Sequence, residues 1–121
     1  MRNPAVTVGS QADVTLARLR GDWTVVQGAG VTQGARMRFD EASLRLDGVS
    51  FPIRDLGQGR FDFAGDAHWV HWLDADNRTA AIGDPAGSRV WIMDRSGRPG
   101  ERLQAARDIL DWYGYDLSLI E

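Results

Sequence analysis

The chain has 121 residues, 43% hydrophobic and 26% charged, which suits one globular domain and not a disordered tail or a pair of domains. Its 14 Lys+Arg against 17 Asp+Glu leave a net charge of −3, without the basic surplus that marks most nucleic-acid binders. Cysteine is absent, which excludes disulfides, thiolate metal sites and cysteine nucleophiles.

Residues 1–13 are polar and read as an N-terminal arm. Their opening, Met-Arg-Asn-Pro-Ala-Val-Thr-Val-Gly, holds too short an apolar core for a secretory signal. The chain as written is therefore expected to be cytoplasmic, or periplasmic if a signal peptide has been removed. No apolar run approaches the roughly 20 residues of a transmembrane helix. Residues 14–20 carry apolar side chains at 14, 16, 17 and 19, a short helical turn that Gly21 stops. From there the texture changes to short runs at 23–27, 35–40, 43–46, 49–53, 60–63, 68–73, 79–82 and 89–94. Alternation is clearest in Met37-Arg38-Phe39-Asp40, Leu44-Arg45-Leu46-Asp47 and Phe61-Asp62-Phe63, where period 2 gives one buried and one wet face. Turn chemistry separates the runs, as in Asp47-Gly48, Gly65-Asp66 and Asp76-Asn77. Many short strands joined by tight turns predict an all-β, up-and-down antiparallel barrel of eight strands, and closure removes the exposed edges. The period then switches. Leu103, Ala106, Leu110 and Tyr113 fall on one face of a helix predicted over residues 99–113, with Pro99 before it and Gly114 as its stop. Residues 14–121 are thus expected to form a single domain, its helix packed outside the barrel.

Four stretches carry a family resemblance. Gly21-Asp22-Trp23 follows the helical turn at the start of the first strand. His68-Trp69-Val70 leads to Leu73-Asp74-Ala75, and Gly83-Asp84-Pro85 precedes Val90-Trp91-Ile92-Met93-Asp94-Arg95. The helix runs into Gly114-Tyr115-Asp116-Leu117-Ser118. In order and spacing these resemble the lipocalins, most closely the bacterial type, with residues 28–65 shorter than that family's second to fifth strands. The resemblance implies that Trp23 and Arg95 form a structural pair, guanidinium across indole, at the closed end. It also implies non-covalent binding or transport of a small hydrophobic ligand, of the fatty acid or lysophospholipid class, inside the barrel.

If Trp23 and Arg95 face inward, period 2 turns Val25, Gln27, Trp91 and Met93 inward too. The family's register adds His68, Val70 and Trp72, with Thr79 and Ala81 beside them. That lining is apolar with few polar handles, His68 and Gln27 among them, as a ligand pocket requires. The alternative is a low barrel filled by these side chains, serving as a protein-interaction or structural module.

His68 and His71, three apart on a strand, point to opposite faces and are not expected to share a metal ion. Asp74, Asp76, Asp84 and Asp94 sit at turns or strand ends, and no nucleophile motif or phosphate loop stands out. No catalytic residue, metal or cofactor is therefore expected, and the protein is not expected to be an enzyme. Trp112, Tyr113 and Tyr115 form an aromatic cluster suited to anchoring the helix or to a weak homodimer contact.

Overall fold

Short alternating runs joined by tight turns leave each strand its neighbour in sequence to pair with, and the computed structural model, which describes residues 2–120, follows that rule throughout. The terminal residues of the expected arm and domain, Met1 and Glu121, lie outside the described residues. The strands are β1 (Gly21–Ala29), β2 (Arg36–Phe39), β3 (Ser43–Leu46), β4 (Val49–Gly57), β5 (Arg60–Phe63), β6 (Asp66–Leu73), β7 (Thr79–Gly83) and β8 (Val90–Asp94). Every neighbouring pair is antiparallel, and β8 pairs with β1 to close the barrel.

β4 continues to Gly57 instead of ending at Ile53. Apolar alternation stops at Ile53, and backbone pairing, with Arg54 opposite Asp62 and Asp55 opposite Phe61, carries the strand onward. The β5–β6 turn is made by Ala64 and Gly65, at φ 53° and 87°, the doubly positive conformation that matches hairpin twist.

Two clusters divide the apolar residues. Trp23, Met37, Phe39, Phe61, Phe63, Val70, Trp91 and Met93 belong to the one inside the barrel. The other lies outside, where Ala81, Val90 and Ile92 meet Ala106, Leu110 and Tyr115. The last three come from helix α1 (Arg102–Trp112) and the segment after it. This helix is shorter than residues 99–113 because Gly100, at φ 60°, keeps the preceding turn out of it.

The arm is fastened along the barrel wall. The Asn3 N–H donates to Gly114 O (2.7 Å), the Gln11 N–H to Val70 O (2.8 Å) and the Ser10 hydroxyl to Gln58 O (2.7 Å). The chain then turns inward at Val14, and a 3-10 turn (Leu16–Leu19) covers one end of the barrel.

Candidate functional site

At the covered end, the Trp23 indole N–H donates to Leu19 O (2.7 Å), and the Arg95 guanidinium lies 3.7 Å over the Trp23 ring. Arg95 also donates to Arg20 O (2.7 Å), Asn77 O (2.9 Å) and Arg18 O (3.0 Å). One planar cation thus stacks on the first strand and ties the 3-10 turn to the β6–β7 loop. The arrangement is structural: its donors all point at backbone carbonyls.

Of the residues expected to line the interior, Val25, His68, Val70, Trp91 and Met93 do face inward. Gln27, Trp72 and Ala81 do not. A bulge between Val25 and Gln27 inserts one extra residue in β1, so Gln27 pairs with outward Ile92 and takes a hydrogen bond from Arg107 of α1 (2.5 Å). A second bulge, between Val70 and Trp72, turns Trp72 outward opposite Ala81, and both pack into the cluster beneath the helix. Thr79 likewise faces outward, donating to Asp94 Oδ1 (2.6 Å). Burial alone would raise the Asp94 pKa, but bonds from Thr79, Ser96 and Arg102 outweigh it and hold the carboxyl at about 2.

The interior is filled. Phe61, His68, Val70, Ile82, Trp91 and Met93 each have 0% exposure, and a void large enough for water would leave accessible surface on its walls. Open space lies instead at the other end, the mouth. Pairing of β4 with β5 begins at Ile53 opposite Phe63, so the first part of β4 has β3 alone beside it. The resulting notch is a cleft of about 360 Å³ with Phe51, Pro52, Ile53 and Phe63 along it and Arg54 and Asp62 at its edge. None of these residues was among the expected lining. Pro52, which cannot donate to a ladder, was the available signal for an unpaired strand edge.

His68 sits next to this cleft, against Phe63 (ring centroids 5.2 Å), Phe61 (5.8 Å) and Trp91 (5.6 Å). Its Nδ1 lies 2.9 Å from Asp66 O, a carbonyl that only accepts, so Nδ1 carries the proton. Burial lowers its pKa, and the ring is neutral at pH 7. Nε2 is then a lone pair, and it is buried without a hydrogen-bond partner among the described residues. At the rim, Arg89 pairs with Asp66 (3.1 Å), and Arg54 with Asp62 (3.8 Å).

His71 occupies the opposite face. Its Nδ1–H donates to Gly9 O (2.7 Å), and Nε2 lies 2.8 Å from the Tyr115 hydroxyl. The two histidines are therefore separated by the barrel wall. Burial, opposed by the Gly9 bond, pulls the His71 pKa down to about 4. Burial also raises that of Tyr115. No helix among the described residues is long and apolar enough to cross a membrane. No family model and no curated protein matches the chain.

Proposed function

We propose that the protein is a lipocalin-like binder that holds or carries a small hydrophobic ligand, of the fatty acid or lysophospholipid class, at the mouth of its barrel. One observation carries this reading: an unpartnered, fully buried nitrogen of His68, whose ring packs against Phe63, lies behind a cleft of about 360 Å³ that Phe63 lines together with Phe51, Ile53, Arg54 and Asp62. Ligand pockets begin at about 300 Å³ and combine apolar walls with a few convergent polar groups. Phe51, Ile53 and Phe63 supply the walls here, and each buried CH₂ of an alkyl chain would contribute about 0.8 kcal/mol. The filled interior limits the ligand to the mouth. Val25, Val70, Trp91 and Met93 support the site from below as packing.

The same filling supports a second reading, a packed barrel that serves as a protein-interaction or structural module. Trp112, 76% exposed, offers it an apolar contact on the outer surface, including one with a second copy.

Titration of the protein with a fluorescent fatty acid, followed through indole emission, separates the two. Saturable binding that natural lipids displace, and that Phe51→Ala weakens several-fold, is the expected result. A flat titration with the fold intact would overturn the ligand reading and leave the second.

A further inference from the structure

We infer that the mouth site selects an uncharged amphiphile whose polar end is an O–H or N–H donor, such as a long-chain alcohol or acylglycerol, received by the His68 Nε2 lone pair. The inference rests on the small-hydrophobic-ligand reading above and gives the site one uncharged head-group chemistry in place of the fatty acid or lysophospholipid class.

Proton placement comes first. Because Asp66 O can only accept, Nδ1 of a neutral His68 must donate, and Nε2 must accept. Protein interiors seldom leave such an acceptor unmade, and each exception calls for an explanation. Packing does not provide one here. His68 is stacked on Phe61 and wedged against Phe63 and Trp91, a slot that a phenylalanine ring would fill with no unmet polar atom.

Charge decides the class of donor. An ionised carboxylate brings only acceptor oxygens, and meeting Nε2 would require a second proton on the ring. Burial opposes that proton. At this rim Arg89 already faces Asp66 at 3.1 Å and Arg54 faces Asp62 at 3.8 Å, so an arriving anion would have to compete with both carboxylates. A hydroxyl or N–H meets the lone pair directly and brings no charge into the barrel.

Access runs through Phe63. Phe63 lines the cleft, and its ring packs edge-on against His68 at 5.2 Å and Phe51 at 5.4 Å. Displacement of the Phe63 ring, 3% exposed, would join cleft and histidine without breaking a strand pair.

Three probes of equal chain length test the inference on the full chain: decanol, decyl methyl ether and decanoate, each followed through indole emission at about pH 8, where decanoate is ionised. Decanol should bind roughly tenfold more tightly than the ether, the effect of one hydrogen bond made in a dry site. In His68→Phe that preference should fall to parity while the melting temperature holds or rises. Equal binding of decanol and ether to the wild type would overturn the inference and leave the ligand reading standing. Tighter binding of decanoate would do the same. Failure of all three to bind would remove the ligand reading and this inference with it.

Discussion

Acid should loosen this fold well before its carboxylates titrate, and His71 is the main cause. The ring is 3% exposed, fixed between Gly9 of the arm and Tyr115 behind the helix. Its pKa lies near 4 in the native state against an ordinary 6.5. Between those values the unfolded chain binds a proton that the native chain refuses, so stability falls as the pH drops through the window. At about 1.4 kcal/mol per pKa unit the gap is worth about 3 kcal/mol, roughly three quarters of it lost by about pH 4.5. His68 is shifted in the same direction by the same cause and adds to the loss. Against a total stability of about 5–15 kcal/mol this is a large fraction, and it should lower the melting temperature by roughly 10 °C. Thermal melts followed by circular dichroism at about pH 7.5 and 4.5 measure it in the wild type and in His71→Asn. Asparagine keeps an N–H for Gly9 O and cannot titrate. The variant should start less stable, having lost the Tyr115 contact, yet lose much less on acidification. If both proteins lose the same stability over this range, the buried neutral histidine is not the source and the reasoning fails.

Two further substitutions probe the scaffold. Arg95→Lys keeps the charge but gives up the planar stack on Trp23 and much of the fork that reaches Arg18, Arg20 and Asn77, so it should cost about 2 kcal/mol or more; an unchanged denaturation midpoint would contradict that. Gly83→Ala puts a Cβ 2.6 Å from the Tyr115 hydroxyl oxygen and should destabilise by about 1–3 kcal/mol through overpacking. Combining it with Tyr115→Phe, which removes that oxygen, should cost less than the two single changes summed, and strict additivity would refute the clash.

How far the sequence could be read depended on which faces of each strand are buried. β2, β3 and β5 have one wet face, and their alternation, as in Met37-Arg38-Phe39 and Phe61-Asp62-Phe63, placed the inner side chains correctly. β7 and β8 lie against the helix as well as the core, and all five residues of each are buried, so period 2 carries no in-or-out signal there. The C-terminal part of β6 is covered by the arm and the helix, and Trp69-Val70-His71-Trp72 reads as apolar on both sides. A one-residue bulge in such a strand leaves no mark on the pattern, and that is where Trp72 was assigned to the wrong face.

The candidate site was harder to read than the barrel for a related reason. Its cleft is defined by where β4 stops pairing with β5, a matter of register between strands that hydrophobic pattern alone does not report. His68 is the exception. Its inward direction followed from the register of the family it resembles, but its significance comes from proton accounting: Asp66 O takes the only N–H, and the ring's other nitrogen is buried without a partner among the described residues. An apolar residue would lose the bond to Asp66 O but bring no second nitrogen to satisfy, and it is that nitrogen the inferred donor would meet.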